Sequence, residues 1–589
     1  MNPKEFYTKK EAAFQQKSEQ LKKQLFQMSM VRLVVFSATA FGIYFTFDEP
    51  ITAGFVFFFG VVIFGFLMVR HSSLIKKRDI VQKKIEINST ELKLLEGTFY
   101  TKDHGSDFIN GNHAFSHDID LFGEYSYFFY LNRTVTAEGR AQLAQILSSN
   151  DIDSIEAKQE VIKELAKQVE WRQHFSALAS LVRVKGSAKD IGTFISNYQR
   201  VFSKGIHNIP FLFGIASVIM IGLTIAQIVS FTILLLWFFL GLGITGSFIR
   251  KTQKIYGESG NAKATFDQYY PLLEQIEQVE FNSGRLKKQQ EKIRQKEEKA
   301  STIFKKFSEI LNAFDQRNNI VIAIFGNAFF LWDLRNACRV ERWIEQYQKV
   351  APEWFEVITF FDAQNSLANY CFNYPEYEFP QVMADDQAIV KTKALGHPLL
   401  NSASRIDNDF EIHSGKFFIV TGANMAGKST FLRTVGLSLI MANSGLPVCA
   451  EDFQYKPTKL ITSMRTSDSL AQNESYFYAE LKRLKHIVDQ MKNEKYFIIL
   501  DEILKGTNSK DKATGSRKFV EKLVSFNSTG IIATHDISLC DLDEQYEEID
   551  NYFFEAEIKD GELYFDYQLK LGVCKNMNAS FLLKKMNIV

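Results

Sequence analysis

The stretch Phe417-Phe-Ile-Val-Thr-Gly422-Ala-Asn-Met-Ala-Gly427-Lys428-Ser429-Thr430 decides the fold of the last third of this 589-residue chain. It joins an apolar strand, Phe417 to Val420, to a Gly-x-x-x-x-Gly-Lys-Ser loop and a helix-compatible segment, Thr430 to Met441. The glycines allow backbone N–H groups to wrap phosphates, and the helix start adds its positive end. Lys428 supplies charge to the phosphates, and the Ser429 hydroxyl is placed to hold Mg²⁺. The stretch therefore predicts a nucleotide-binding strand–loop–helix unit.

Two later apolar strands end in polar residues. Tyr496 to Leu500 leads into Asp501 and Glu502, and Ile531 to Thr534 leads into His535. Asp501 would bind Mg²⁺, and Glu502 would orient or deprotonate the attacking water. His535 could contact the γ-phosphate or that water, although a histidine at a strand end is often structural. The sequence thus predicts a site for ATP and Mg²⁺ with Glu502 and His535 as its catalytic residues.

The pattern of predicted strands and helices around these motifs indicates the fold class. From about residue 396, short β-branched or aromatic runs alternate with helical segments, which is typical of a mostly parallel sheet with helices on both faces. The region from 251 to 395 instead has helical periodicity, for instance Phe266 to Val279 and Phe304 to Phe314. We expect an α/β phosphate-loop ATPase domain preceded by an all-α region.

Three uncharged apolar runs interrupt the N-terminal half: Leu33 to Phe47, Ile51 to Val69 and Pro210 to Phe248. A helix needs about 20 apolar residues to cross a bilayer, so the third run, of 39 residues, fits two spans. The first run, of 15 residues, is short and spans only if Arg32 snorkels. The pattern predicts two transmembrane helical hairpins, the first at about 31–47 and 51–69; the alternative is buried core helices.

Charges beside the apolar runs predict their orientation. Lysines and arginines flank both hairpins, while the turn of the first one, Asp48-Glu49-Pro50, is acidic. By the positive-inside tendency both hairpins begin and end in the cytoplasm. We therefore expect a multi-pass protein of the cell (inner) membrane with a cytoplasmic ATPase domain. The net charge of +1 indicates no global attraction to nucleic acid, and the five widely spaced cysteines favour neither a metal site nor disulfides.

The phosphate loop, Thr421-Gly-Ala-Asn-Met-Ala-Gly-Lys-Ser-Thr430, resembles that of the MutS family of DNA mismatch-repair ATPases. Asp501-Glu-Ile-Leu-Lys-Gly-Thr507 is similar to the family's Asp-Glu-Ile-Gly-Arg-Gly-Thr, with Leu504 and Lys505 in place of Gly and Arg. Ala533-Thr-His535 and Gly396-His-Pro398 also match family segments, and Asp118 to Gly139 resembles the start of the MutS core domain.

The resemblance implies the site residues and the assembly. It assigns nucleotide binding to Gly422, Asn424, Met425, Ala426, Gly427, Lys428, Ser429 and Thr430, and Mg²⁺ binding to Ser429 and Asp501. Leu470-Ala-Gln-Asn-Glu-Ser475 resembles the segment that MutS dimers present to the partner's ATP, with Ser475 reaching across in trans and Asn473 in place of a usual glycine. A homodimer through the ATPase domains is therefore expected.

Combining these features gives five expected regions. They are 1–104 with helical arms and the first hairpin, 105–205 as a MutS-core or lever-like helical region, 206–250 as the second hairpin, 251–395 as a further lever-like region, and 396–589 as the MutS-type ATPase domain. Because a membrane hairpin occupies the first 100 residues, we expect a member without the N-terminal mismatch-recognition domain.

Two functions remain open at this level. The first is a membrane-anchored MutS-like ATPase that associates with double-stranded DNA without sequence preference, and the second is a membrane scaffold or transporter-type ATPase without DNA. Nine Lys or Arg and three Glu between Arg285 and Lys306 could contact phosphates, although such charge runs are usually a solvated helix face. The sequence names no protein partner.

Overall fold

The computed structural model describes residues 2–97, 103–182, 184, 187–260, 262–294, 298–383, 388–465, 476–559 and 562–574. The helices are α1 (Pro3–Phe45), α2 (Pro50–Leu95), α3 (Tyr127–Leu131), α4 (Ala137–Ser148), α5 (Ile155–Lys167), α6 (Val169–Ala179), α7 (Ala188–Ser196), α8 (Ile209–Ile225), α9 (Phe231–Ser247), α10 (Ile249–Gly260), α11 (Ala262–Gln278), α12 (Gly284–Ile293), α13 (Ala300–Asp315), α14 (Asn327–Phe330), α15 (Trp332–Tyr347), α16 (Ala351–Asn373), α17 (Lys428–Asn443), α18 (Tyr476–Met491) and α19 (Ser509–Ser525). The strands are β1 (Gln381–Val382), β2 (Ala388–Leu395), β3 (Asn408–His413), β4 (Phe417–Gly422), β5 (Asp452–Tyr455), β6 (Lys459–Ser463), β7 (Tyr496–Asp501), β8 (Thr529–Ala533), β9 (Ile549–Lys559) and β10 (Glu562–Leu571).

The chain forms two compact units. Unit 1 comprises Met1–Tyr100, Thr134–Arg140 and Gln168–Ala363. Unit 2 comprises Thr101–Arg133, Ala141–Lys167 and Gln364–Val589. The five regions expected from the sequence are based on apolar runs and on family resemblance rather than on contacts, and they stay a prediction.

Helices α1 and α2 of unit 1 form a long antiparallel hairpin. Asn2 caps α1 by accepting a hydrogen bond from the Lys4 N–H at 2.9 Å, and Pro3 occupies the first helical position. At 1.5 Å per residue the two helices, of 43 and 46 residues, are each about 65–70 Å long, twice the thickness of a bilayer core. Their apolar halves meet at the turn and are exposed, whereas the other halves carry the charged residues.

Helices long and apolar enough to cross a membrane lie in the three runs that the sequence indicates. Within the described residues they are α1, α2 and the segment Lys204–Ile225 that includes α8. A fourth span results if α9 and α10, which meet at a bend of 61°, are counted together. The 39-residue run is divided as expected, because α8 ends at Ile225 and α9 begins at Phe231.

Aromatic residues form the core of the helical part of unit 1. The rings of Phe307 and Trp343 are stacked with centroids 3.9 Å apart, and Phe266 lies 4.6 Å from Phe304 and 5.6 Å from Phe355. These side chains belong to α11, α13, α15 and α16. The helical periodicity of the sequence therefore predicted α11 and α13 correctly, and it does so because one face of each helix is buried here.

Unit 2 is built around a six-stranded sheet with the order β10-β9-β4-β8-β7-β6. The pairs β9/β4, β4/β8, β8/β7 and β7/β6 are parallel, and β10 pairs antiparallel with β9. A smaller sheet has the order β1-β5-β2-β3. The mostly parallel sheet expected from the sequence is thus present, with an antiparallel strand at one edge.

Helices cover both faces of the six-stranded sheet. Alternate residues of the strands, such as Ile419 and Ile498, share a buried cluster with Ile487 of α18 and Leu523 of α19. Helix α17 lies on the opposite face, where Gly436 approaches the Ile499 and Leu460 side chains. Because the strands are buried on both faces they read as continuous apolar runs, which is typical of parallel sheets.

Candidate nucleotide site

The phosphate loop connects β4 to α17 through two glycines with positive φ. Gly422 has φ 148°, and a Cβ there would lie 2.6 Å from the carbonyl oxygen of Phe554. Gly427 has φ 106° and directly precedes the first residue of α17. Both positions therefore need glycine, one for a close backbone approach and one for its conformation. The loop aims the N-terminus of a 16-residue helix, with its free N–H groups, at the space in front of it.

Lys428 lies at the base of this loop. Its side chain is buried, and its ammonium donates to the carbonyl oxygens of Gly422 at 2.8 Å and Ala423 at 3.0 Å. The Nζ atom is also 3.4 Å from Nε2 of His535. Burial lowers the pKa of Lys428, while the carboxylates of Glu502 and Asp501 act in the opposite direction. The ammonium thus connects the phosphate loop with the ends of β7 and β8.

The ends of β7 and β8 bring the two predicted catalytic residues together. Asp501 is the last residue of β7 and pairs with Ala533 of β8, and the Glu502 N–H donates to the Ala533 carbonyl at 2.9 Å. The Glu502 Oε1 atom lies 2.8 Å from His535 Nε2. This contact with His535, supported by Lys505, lowers the pKa of Glu502 to about 2. Glu502 is therefore a carboxylate at every physiological pH, as a group that polarises water must be.

These groups line one cavity of about 520 Å³, a size typical of a small-ligand site. The predicted residues on its wall are Asn424, Met425, Gly427, Lys428, Ser429, Thr430, Asp501, Glu502 and His535. Gly422 and Ala426 belong to the loop but do not line the cavity. Ser475 lies outside the described residues, so its role in trans stays a prediction.

The wall of this cavity also fits a magnesium ion bound together with phosphates. The predicted ligands, the Ser429 hydroxyl and the Asp501 carboxylate, both face the cavity and are hard oxygen donors. Mg²⁺ in nucleotide sites takes one or two protein ligands and completes its shell with phosphate and water. In agreement with that pattern, the described residues contain no group of three or more His, Cys, Asp or Glu that could hold a metal by themselves.

The wall of the cavity also includes residues that the sequence analysis did not assign. Leu400, Ile406 and Tyr567 are exposed apolar or aromatic side chains on this wall. The Tyr567 ring lies beside the phosphate loop, because a Cβ at Gly427 would be 3.2 Å from it. The Asn408 side chain fixes the backbone around Tyr567, because its Nδ2 donates to the Tyr567 carbonyl at 3.1 Å and its Oδ1 accepts from the Leu569 N–H at 2.7 Å. A wall with both apolar and polar side chains suits a base joined to phosphates.

The loop after β7 adopts an unusual backbone conformation. Leu504, at the position where the resembling family has glycine, has φ 60° and a buried side chain. The buried carboxylate of Glu480 accepts a hydrogen bond from the Leu504 N–H at 2.6 Å and so connects this loop to α18. Gly506 allows close packing, since a Cβ there would lie 2.8 Å from Cβ of Phe477. Glu480 thus fixes α18 to the loop that follows Glu502.

Comparisons with known proteins agree with this geometry. Residues 418–584 match the family model described as MutS domain V. The chain is 30% identical to human "MutS protein homolog 4" over 236 residues, which are 38% of this chain and 24% of that protein. It is 28% identical to the "DNA mismatch repair protein MutS" of Thermotoga maritima over 235 residues, 39% of this chain and 29% of that protein.

The matches are confined to part of each relative. The aligned residues span about a quarter of the length of the human protein and somewhat more of the bacterial one. The matched domain nevertheless contains the phosphate loop, Asp501, Glu502 and His535, the residues around which the cavity is built. Residues 418–584 are therefore similar to MutS domain V, and the similarity to MutS proteins is shown for this part of the chain.

Proposed function

We propose that this chain is a membrane-anchored ATPase of the MutS type, which binds and hydrolyses ATP in a dimeric composite site. The observation that carries the proposal is the single cavity that brings the phosphate loop, Asp501, Glu502 and His535 together. The residue types and their places, at the N-terminus of α17 and the ends of two neighbouring parallel strands, are those of phosphoryl transfer to water. The family of domain V supports the same reaction.

Each residue has a distinct part in the proposed reaction. The N–H groups at the start of α17 and the Lys428 ammonium bind the phosphates, and Lys428 exchanges its bonds to the loop carbonyls for phosphate oxygens. The Glu502 carboxylate accepts a hydrogen bond from the attacking water and draws its proton away as the bond to phosphorus forms. His535 keeps Glu502 oriented and ionised. Mg²⁺ held by Ser429 and Asp501 would neutralise charge that develops on the phosphates.

The composite character of the site is proposed from the residues between β6 and α18. The segment with Ser475 resembles the one that MutS dimers present to the partner's ATP. Its two described ends are firmly fixed in unit 2. The Arg465 N–H donates to the Asp118 carboxylate at 2.9 Å, and Glu480 of α18 is bound to the loop after Glu502. The proposal that Ser475 acts in trans rests on this resemblance, because Ser475 lies outside the described residues.

Membrane anchoring is proposed from the composition and exposure of the long hairpins. The apolar half of α1 and α2 has large side chains in the open, for example Phe45 with 80% and Ile51 with 78% exposed. Monomeric soluble proteins rarely present contiguous apolar patches of this extent. The basic residues that flank both hairpins support, by the positive-inside tendency, cytoplasmic hairpin ends and with them an ATPase domain on the cytoplasmic side of the cell (inner) membrane.

Salt extraction of membranes tests the anchoring. Apolar burial is insensitive to ionic strength, whereas adhesion through basic residues is screened. The full-length protein should therefore stay in the membrane fraction in high salt and leave it only with detergent. Release of the intact chain by salt alone would show that the hairpins are not inserted.

Association with double-stranded DNA is proposed from the relatives, among them the "DNA mismatch repair protein MutS" of Thermotoga maritima. The test is the ATPase rate of the full-length protein in nanodiscs with and without duplex DNA. A DNA-stimulated rate is expected. A rate that no duplex changes would instead favour the alternative, an ATP-controlled membrane scaffold or transporter-type ATPase without DNA.

A further inference from the structure

A further apolar segment of unit 1, in addition to the three runs already described, lies beside the second hairpin. Residues 318–332 are uncharged, between Arg317 and Asp333, and they are helical from 320 to 330 with a π-helical turn at Ile322–Gly326 that leads into α14. At 1.5 Å per residue these 11 helical residues span about 16 Å, half of a bilayer core of about 30 Å. The segment is therefore too short to cross a membrane.

One side of this segment packs closely on the hairpin helices. A Cβ at Gly241 of α9 would overlap the carbonyl oxygen of Ala328, so the two backbones touch at this point. The Phe238 ring of α9 contacts the rings of Phe325 and Phe329 at centroid distances of 5.9 and 5.7 Å. Small residues that let backbones approach are characteristic of helix packing in membranes.

The other side of the segment is apolar and exposed. Ile320, Val321 and Ile324 have between 40% and 73% of their surface open, and their spacing places them on one helix face. The exposed apolar residues of α8 and α9, for instance Leu236 with 66% exposed, continue on the neighbouring helices. The segment thus extends the same apolar surface that the second hairpin presents.

An ion pair joins the two ends of the segment. Arg317 and Asp333, one at each end, form an ion pair with N···O 3.0 Å, and both side chains are largely buried. The Arg317 guanidinium also lies over the Tyr256 ring of α10, 4.9 Å from its centroid, just beyond the hairpin. At the second end Leu331 turns the backbone with φ 47° and is fully buried. The chain therefore enters and leaves the segment at the same place.

We infer that residues 320–331 form a re-entrant element whose exposed face lies in the acyl chains of the bilayer, alongside α8 and α9. The inference rests on the proposed membrane anchoring of the second hairpin. Lipid is the occupant that fits, because the face is continuous with the hairpin surface and the nearest charges sit at both of its ends. Irregular backbone at membrane depth is tolerated where protein buries it, as at Leu331.

Photolabelling tests the inference on the unchanged protein. The full-length chain is reconstituted in vesicles of phosphatidylcholine that carry a diazirine in the acyl chain, irradiated and digested. Lipid adducts are expected on peptides from 231–247 and from 320–331, and not on peptides from 496–533 of the ATPase domain. Adducts on the hairpin without any on 320–331 would overturn the inference and leave the anchoring intact. Absence of adducts from both would overturn the anchoring and the inference together.

Cysteine protection gives a second measurement in the same vesicles. Val321→Cys and Leu236→Cys should resist a membrane-impermeant maleimide until detergent is added, whereas Ile109→Cys of unit 2, with 48% of its surface exposed, should react at once. The labelling of the wild-type chain sets the background from its five cysteines. Reaction of Val321→Cys as fast as that of Ile109→Cys, with Leu236→Cys protected, would contradict the re-entrant element alone.

Discussion

The Glu502 carboxylate and the His535 imidazole are 2.8 Å apart, and this contact joins the ends of two neighbouring parallel strands. It is also the largest cause of the low pKa of Glu502, about 2. A strand end followed by a carboxylate and a strand end followed by a histidine are separate signals in the sequence. Because β7 and β8 pair in parallel, both side chains come to the same edge of the sheet, beside the Lys428 ammonium. The pair is therefore the centre of the proposed site.

Replacing Glu502 with Gln should separate binding from hydrolysis. The amide keeps the shape but cannot accept a proton, so hydrolysis should slow by about a hundredfold or more while ATP still binds. Single-turnover hydrolysis and equilibrium nucleotide binding measure the two steps separately. The matched control is Glu494→Gln, because Glu494 is an exposed carboxylate shortly before β7. A wild-type rate in Glu502→Gln would mean that another residue activates the water.

Replacing His535 with Gln should change the pH dependence of turnover. His535 is the main reason that the pKa of Glu502 lies near 2, so without it this pKa rises toward its ordinary value of 4.5, and only Lys505 and Lys512 still oppose the rise. A carboxylate with a depressed pKa loses its charge only as the pH falls through that low value. The acid limb of kcat/KM, normalised to each protein's maximum, should therefore move to higher pH in the variant. Superimposable normalised profiles would contradict this role.

Replacing Lys428 with Ala should abolish ATP turnover. Lys428 is the cation of the phosphate loop, and its ammonium is held at the cavity by the carbonyl oxygens of Gly422 and Ala423. Loss of this charge removes the contact to the phosphates that the reaction requires. The steady-state ATPase rate measures the effect, and Lys522→Ala, exposed on α19, controls for loss of a lysine as such. Unchanged turnover in a folded Lys428→Ala protein would overturn the assignment of the site.

Leu504 offers a test of the backbone strain in the loop after Glu502. Its φ of 60° costs a residue with a Cβ about 1–2 kcal/mol, but its side chain belongs to the same buried cluster as Leu523. Leu504→Ala loses the packing, about 2–5 kcal/mol, and keeps the strain. Leu504→Gly loses the packing but also the strain, so it should be the more stable of the two variants by up to about 1 kcal/mol.

The control for this comparison is a leucine in an ordinary helical conformation. At Leu523 of α19, buried in the same cluster, glycine should be less stable than alanine, because glycine costs about 1 kcal/mol inside a helix. Urea unfolding of the four variants measures the order. The same order of alanine and glycine at both positions would show that the Leu504 backbone is not strained.

The phosphate-loop end of the site could be predicted from the sequence because its signals are local. A glycine-rich loop between a strand and a helix, and carboxylates directly after a strand, keep their meaning whatever surrounds them. The apolar residues of the wall could not, because Leu400 and Tyr567 are far apart in the chain and line the same cavity only through tertiary packing. Each of these two residues by itself is one exposed apolar side chain among many.

The apolar segments show a similar limit. The runs of α1, α2 and the second hairpin exceed or approach the length of a span, so hydropathy alone indicates them. Residues 318–332 are equally free of charge and as long as the run Leu33 to Phe47, but they lie inside the region 251–395 that helical periodicity assigned to a lever-like region. Their exposure and their packing on Gly241 are properties of the fold, which the sequence pattern does not contain.

The proposed DNA binding should be nearly insensitive to mismatches. Mismatch reading requires an element that inserts at deformed base pairs. The described residues up to Leu95 form the hairpin of α1 and α2. In the described part of the basic region, α12 and α13 present exposed lysines and arginines without neighbouring exposed aromatic side chains. Such a surface offers contacts to phosphates, which give sequence-independent and salt-sensitive affinity.

Binding of the full-length protein in nanodiscs to matched and mismatched duplexes of equal length, at several salt concentrations, measures this. The two affinities should agree within a factor of ten, that is within about 1.4 kcal/mol.

A triple variant, Lys287→Gln, Lys288→Gln and Lys305→Gln, should weaken binding to both duplexes equally. It should also flatten the salt dependence, because each lost phosphate contact removes about 0.9 from the slope of log K against log salt. The control triple on α19, Lys510→Gln, Lys518→Gln and Lys522→Gln, removes the same charge from exposed positions and should leave the slope unchanged. A mismatch preference above tenfold would require a recognition element elsewhere in the protein. No binding to either duplex at low salt would instead favour the scaffold or transporter-type function, because phosphate contacts are strongest under that condition.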